Sequence, residues 1–274
     1  LETVQFIPPE VPLRYKFLYN NIMFTAGGQA LASGLNRKFK NDMTWAEWAE
    51  QKLFVPLGMQ KTWAELCRVP AGLYGDFATG YKEGNVATKR ISYDTVGPAK
   101  SVVSNGQDML KWIDNYLLEM DTQSEGKILK KMDQKPLLSR AVIPGGQNEY
   151  WTEPLINVMY ANGMNMEHKY RELFLHHSGH AAGITTEIMY AQTSREHIAI
   201  FVAVNQDESD MPLALAKKVA ETLVLGTQPS SQWPHSTGLS PAVMPTVCLK
   251  STCQDVEQAN SMYCGIYRHP PYGV

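Results

Sequence analysis

The chain has 274 residues, of which 44% are hydrophobic, and this is enough apolar material to bury a sizeable core in one large or two smaller domains. Its 25 basic and 27 acidic residues give a net charge of −2 without a block of like charge, which argues against a nucleic-acid-binding protein, because that function calls for a clustered basic face. No apolar run approaches the roughly eighteen residues that a membrane span needs, so the sequence predicts none.

The first half of the chain is predicted to be mainly helical. Apolar residues recur at helical spacing from Ile22 to about Lys38. Gly27 and Gly28 lower the helix propensity of this segment, so we expect a neighbouring group to pack closely against its backbone. Thr44-Trp-Ala-Glu47 has the capping-box pattern and predicts a short helix that runs through Phe54 and ends in a proline-glycine turn.

A second amphipathic helix is predicted after residue 104. Ser104-Asn-Gly-Gln107 is another capping-box pattern, and a shorter helical stretch is expected near residues 127–138. The apolar face of the amphipathic helix is predicted to hold Met109, Trp112, Ile113, Tyr116 and Leu117.

The pattern then changes from helices to strands. Strands are predicted at residues 155–160, 172–177, 184–191 and 197–204, and the last is a near-continuous apolar run, as expected for a strand covered on both faces. Met211 to Leu225 predicts a closing helix. The fold class is therefore α+β, an antiparallel sheet packed with helices.

Five short motifs, taken in order, carry a resemblance to a known family. Each is weak alone, but their order is specific. They are Tyr19-Asn20-Asn21 before a helix, the turn Val55-Pro56-Leu57-Gly58-Met59, Gly97-Pro98-Ala99-Lys100-Ser101 ahead of Asp108-Met-Leu-Lys-Trp112, Tyr160-Ala-Asn-Gly163-Met164, and His177-Ser178-Gly179 followed by Gly183. The chain resembles the β-lactamase-related, penicillin-binding-protein-like serine hydrolases of the class C type across residues 17–225.

The resemblance implies an acyl-enzyme mechanism on an amide or ester bond, in a small-molecule or peptide substrate, with no cofactor. Tyr19 would relay the proton and Asn21 would orient the substrate. His177 would supply the cation that stabilises a tyrosine phenolate. Ser178 and Gly179 would contact the substrate, and the backbone N–H of His180 would serve the oxyanion hole.

The nucleophile of this mechanism is not found at its expected place. The family uses Ser-x-x-Lys upstream of Tyr19, whereas Ser124-Glu-Gly-Lys127, the sole match in the sequence, follows Tyr19 within a polar run and is interpreted as chance. We therefore expect a fragment that is inactive alone, cut from a parent hydrolase. The alternatives are a non-catalytic binding protein on the same fold, or an unrelated α+β binding domain.

The resemblance also suggests domain boundaries. Residues 1–226 are expected to form the β-lactamase-related domain, incomplete at its start, and residues 227–260 a linker rich in proline, serine and threonine. Tyr263-Cys-Gly265-Ile-Tyr267 resembles the opening strand of a lipocalin-like barrel, so residues 261–274 are expected to begin such a domain. A zinc site at His176 and His180 is disfavoured, because Ser178-Gly179 interrupts a helix between them.

Overall fold

A computed structural model describes residues 6–12, 15, 17–120, 158–161, 163–169, 172–192 and 197–225 of the chain. These residues belong to two compact units. Of the described residues, the first unit contains those up to Phe77 and Ser92–Asn105, and the second contains Ala78–Ile91 and those from Gly106 to Leu225. Among the described helices, none combines the length and the apolar character that crossing a membrane requires.

The first unit is helical. Helix α1, Asn21–Phe39, begins at its cap Asn20, whose side chain accepts a hydrogen bond from the Met23 N–H at 3.1 Å. It ends where Lys40 takes the left-handed conformation, with φ 54°. The predicted helix from Ile22 to about Lys38 is thereby confirmed.

The predicted capping box at Thr44 is also confirmed. The Glu47 N–H donates to Thr44 Oγ1 at 3.2 Å, and Glu47 Oε2 accepts from the Thr44 N–H at 2.7 Å. Helix α2, Trp45–Ala49, follows and continues as a π-helical turn, Glu50–Phe54. Gly58, with φ 71°, closes the predicted turn.

Helix α3, Gly97–Lys100, packs against α1 through one of the two helical glycines. A Cβ placed on Gly28 would lie 2.6 Å from Pro98 Cγ, whereas a Cβ placed on Gly27 would meet no atom within 4 Å. The close packing expected at the glycine pair is therefore found at Gly28 alone. It holds α1 against α3 in a way that a larger residue would prevent.

The second unit is built on a five-stranded antiparallel sheet in the order β3-β4-β5-β6-β7. Its strands are β3, Val158–Ala161, β4, Met164–Lys169, β5, Glu172–Ala181, β6, Ile184–Gln192, and β7, His197–Val204. A short hairpin of β1, Tyr81–Lys82, and β2, Val86–Ala87, adjoins it: the Tyr81 N–H donates to the Gly183 and Asn205 carbonyls at 3.1 and 3.0 Å.

Two helices cover opposite faces of the sheet. Helix α4, Gly106–Met120, places Trp112 and Ile113 on a cluster that includes Leu175 and Tyr190. Helix α5, Met211–Leu225, places Ala216 and Ala220 on a cluster that includes residues 174 and 189. Since neighbouring strand residues point to opposite faces, the two helices must flank the sheet. The α+β prediction, an antiparallel sheet packed with helices, is confirmed.

Several local predictions are corrected. The strand expected at 172–177 runs on to Ala181, because β6 continues to pair with it. Strands β3 and β4 form a hairpin, in which Ala161 pairs with Met164 and Gly163 has φ 87°. Strand β4 had not been predicted. Helix α4 begins at Gly106, and the Ser104 hydroxyl pairs with Thr62 Oγ1 at 2.7 Å.

Other predictions fall outside the described residues. They concern the helical stretch near 127–138, the Ser124–Lys127 match, the linker at 227–260 and the barrel strand within 261–274.

Candidate active site

The Tyr19-Asn20-Asn21 motif lies in the first unit at the start of α1. Asn20 caps the helix, and the Asn21 carbonyl accepts a hydrogen bond from Thr25 Oγ1 at 2.9 Å, so the backbone of the motif is fixed by the first helical turn. Tyr19 is 42% exposed, and its partial burial raises the pKa of its hydroxyl. At neutral pH Tyr19 is therefore a phenol that can donate a proton.

The His177-Ser178-Gly179-His180 motif lies in the second unit, on strand β5. Ser178 and His180 are exposed on one face, and His177 lies on the other. A Cβ on Gly179 would lie 2.5 Å from the hydroxyl of Thr186, its partner on β6. The cross-strand contact thus favours the glycine of the motif, and the motif residues predicted from the sequence lie together on one strand.

Among the described strands, β5 is paired on one side only along this motif. β4 pairs with β5 only from Glu172 to His176, whereas β6 pairs with it as far as Ala181. Within the described part of the chain, residues 177–181 therefore have a strand on one side only. Backbone groups on an open edge are available to an extended ligand or to a developing oxyanion.

The hydrogen bonds of His177 assign its tautomer. Nδ1 lies 2.6 Å from the Ser178 carbonyl, which can only accept, so Nδ1 carries the proton. Nε2 is 3.4 Å from the Tyr160 hydroxyl, and the two rings meet edge to face at 6.1 Å between centroids. Nε2 is therefore placed to accept a hydrogen bond from Tyr160.

Burial lowers the pKa of His177, although the hydrogen bond to Ser178 and the negative charge of Glu187 oppose this change. Since an ordinary histidine has a pKa near 6.5, the imidazole is mainly neutral at pH 7. The sequence showed Tyr160 only as a motif landmark and gave no sign of its contact with His177.

Comparison with protein families gives the affiliation of the chain. A sequence model of the β-lactamase family matches residues 1–223. The chain belongs to the β-lactamase family. A comparison with curated proteins gave no match.

Solved structures of the β-lactamase family have a similar fold. A class C β-lactamase mutant has a TM-score of 0.56 and 14% identity, over 78% of this chain and 60% of that structure. A D-amino acid amidase from Ochrobactrum anthropi has a TM-score of 0.53 and 17% identity, over 76% of this chain and 61% of that structure. A β-lactamase/D-alanine carboxypeptidase from Pseudomonas syringae has a TM-score of 0.52 and 14% identity, over 81% of this chain and 63% of that structure. The chain thus spans about 60% of the length of these β-lactamase-family structures and has their serine hydrolase fold.

A buried ionisable pair lies beside the β-lactamase-family motif on β5, and the sequence analysis missed it. His176 Nδ1 is 3.2 Å from Glu187 Oε1, and both residues are buried. The available signal was a glutamate inside the otherwise uncharged strand segment Ile184–Tyr190. Among the described residues, no group of three or more histidine, cysteine, aspartate or glutamate side chains could hold a metal ion.

The second and third β-lactamase-family motifs thus have different local settings. Tyr19 and Asn21 share a helix start in the first unit, whereas His177, Ser178, Gly179 and His180 share a strand in the second. The expectation that Tyr19 and His177 act on one substrate stays a prediction.

Proposed function

We propose that the protein containing this chain is a serine hydrolase that cleaves an amide or ester bond through an acyl-enzyme. The observation that supports the proposal is that, among the described strands, only β6 pairs with β5 from residue 178 to residue 181, which leaves the other side of the third family motif for an extended ligand. Acyl transfer needs backbone donors at the position where negative charge develops, and an open strand edge provides such donors.

Tyr19 is assigned the role of proton relay, and Asn21 that of orienting the substrate. A phenol with a raised pKa keeps its proton at neutral pH and so carries one for a strongly basic leaving group, but it acts as a base only when a cation stabilises the phenolate. Because His177 is mainly neutral at pH 7, we assign that cation to the lysine of a Ser-x-x-Lys motif.

His177, Ser178, Gly179 and His180 are assigned to substrate binding. The His177 imidazole fixes the Ser178 carbonyl, which aligns the backbone of the motif. The exposed Ser178 hydroxyl can bond a substrate amide or carboxylate, and the His180 N–H can bond the oxyanion. Gly179 leaves room for the hydroxyl of Thr186 on β6. The substrate is a small molecule or peptide, and no cofactor enters the assignment.

One observation favours a second function. Among the described strands, β4 does not pair with β5 beyond His176, and a strand edge of this kind can bind an extended peptide without any reaction. A non-catalytic binding protein on the β-lactamase fold is therefore the alternative.

The two functions are separated by assaying two proteins. The first is the 274-residue chain, and the second is the protein as its gene encodes it. For the first protein, the rates of hydrolysis of a chromogenic ester and of nitrocefin should equal the rates in buffer, since little catalysis survives without a nucleophile. A fluorescent penicillin should not acylate this protein.

The gene product should hydrolyse at least one substrate, and Tyr19→Phe should reduce its rate by about 10²–10⁴-fold, the usual contribution of a proton-transferring side chain. Ser124→Ala in the same product should leave the rate unchanged. Activity that survives Tyr19→Phe would contradict the assigned role, and a gene product that binds peptide without turnover would favour the alternative.

A further inference from the structure

The His176–Glu187 pair has no direct part in the proposed reaction, yet it lies directly beside the third motif on strands β5 and β6. His176 precedes His177 on β5, and Glu187 lies on β6 directly across from Ser178. The side chains of the pair are 6% and 1% exposed, with 3.2 Å between Nδ1 and Oε1. Because side chains alternate along a strand, the pair occupies the face of the sheet opposite to His177.

The pair lies beside two other buried polar side chains, Asn165 and Thr185, at the border of a packed apolar layer on the same face. A carboxylate in such a layer is costly unless its charge is balanced and its oxygens are hydrogen-bonded. Glu187 meets this requirement only in part, because its Oε2 has no hydrogen-bond partner among the described residues. The layer is formed by Phe174, Met189, Ala191, Ile198, Ala216 and Ala220.

Stability alone does not account for a carboxylate at this position. An apolar side chain of similar volume would fill the layer without the cost of desolvating a charge, and such replacements of buried ion pairs are often neutral or stabilising. A buried ionisable group with a specific partner, next to a candidate site, is the pattern expected of a residue that serves the site.

Glu187 also influences the imidazole on the other face of the sheet. Burial is the main cause that lowers the pKa of His177, and the positive charges of His176 and His180 lower it further. The Ser178 carbonyl and the negative charge of Glu187 raise it. The Tyr160 hydroxyl contacts the same ring. Glu187 is thus the negative charge that partly offsets the burial of His177.

We propose that Glu187 is a positioning residue of the third motif, which fixes the β5 segment at Ser178 through His176 and places a negative charge on the opposite face of the sheet from His177. Its catalytic meaning rests on the proposed hydrolase function, whereas the positioning itself can be measured without turnover.

The test uses the 274-residue chain with Glu187→Gln, Glu187→Asp and His176→Gln. Glu167→Gln is the matched control, because Glu167 lies on the neighbouring strand β4, pairs with Lys217 at 4.0 Å, and is not among the charges that shift the pKa of His177. The readout is the pH midpoint of the His177 imidazole in two-dimensional NMR, with the signal identified by its absence in His177→Asn. Thermal melting establishes that each variant is folded.

The sign of the change separates positioning from mere packing. Glu187→Gln should move the His177 midpoint to lower pH, and Glu187→Asp should move it less. His176→Gln should move it to higher pH, since it removes a like charge, and Glu167→Gln should leave it in place. A role in packing alone predicts the opposite for Glu187→Gln, because a loosened sheet hydrates His177 and raises its midpoint.

An unchanged or raised midpoint in folded Glu187→Gln would overturn the proposal. If that variant does not fold, Glu187→Asp and His176→Gln decide it by the same signs. Because the measurement involves no acylation, a negative result here is distinct from a negative result in the hydrolysis assays.

Discussion

Replacement of Gly28 by alanine tests the packing that holds the Tyr19 helix in place. Gly28 lies two turns into α1, and a Cβ at this position would lie 2.6 Å from Pro98 Cγ. Carbon atoms in contact are normally about 3.5–4.0 Å apart, so the overlap is about 1 Å. The proline ring is fixed to its own backbone and cannot rotate away. α1 and α3 must therefore move apart.

Gly27 provides a matched control for the energy of this clash. Alanine is favoured over glycine inside a helix by about 1 kcal/mol, and this gain is common to Gly27→Ala and Gly28→Ala. A Cβ at Gly27 meets nothing within 4 Å, so this variant should be more stable than the wild type by about 0.5–1 kcal/mol. Overpacking at Gly28 should cost about 1–3 kcal/mol, which is the expected difference in the free energy of unfolding between the variants.

Urea unfolding of the two variants and the wild type, followed by tryptophan fluorescence, measures this difference. Thermal melting should give the same order, with a separation of roughly 2–4 °C per kcal/mol. The reasoning is refuted if Gly28→Ala is as stable as Gly27→Ala, because the α1–α3 contact would then not require a glycine.

Two further predictions concern the second unit. Gly183→Ala should destabilise the protein more than Gly58→Ala in urea unfolding. Both glycines have positive φ, 78° and 71°, and this conformation costs alanine about 1–2 kcal/mol. Only at Gly183 would the new Cβ also lie 2.5 Å from the carbonyl carbon of Gly80. Equal losses would count against the clash. Burial lowers the pKa of folded His177, so unfolding takes up a proton as the pH falls through about 6.5, and the wild type loses stability. His177→Gln removes this group, and the variant should therefore lose less stability than the wild type between about pH 7.5 and about pH 5.5. An identical pH dependence in wild type and variant would show that folded His177 is protonated as easily as unfolded His177.

The sequence by itself determined the elements whose causes are local. Strand β7 and helix α5 begin and end where the apolar pattern predicted, at His197–Val204 and Met211–Leu225. The Thr44 cap was predicted because its hydrogen bonds join residues three apart. The order of the motifs sufficed to indicate the β-lactamase family, since each motif is itself a short local segment.

Only the tertiary structure decided which residues meet across the chain. The β5–β6 ladder carried β5 through Ser178-Gly179, a segment that local propensity would have left as a loop. It also paired His176 with Glu187, and the approach of Pro98 distinguished Gly28 from its neighbour Gly27. The lowered pKa of His177 has the same origin, because its main cause is burial among residues distant in sequence. Periodicity records the face of one element, whereas desolvation and close contact depend on which other element covers that face.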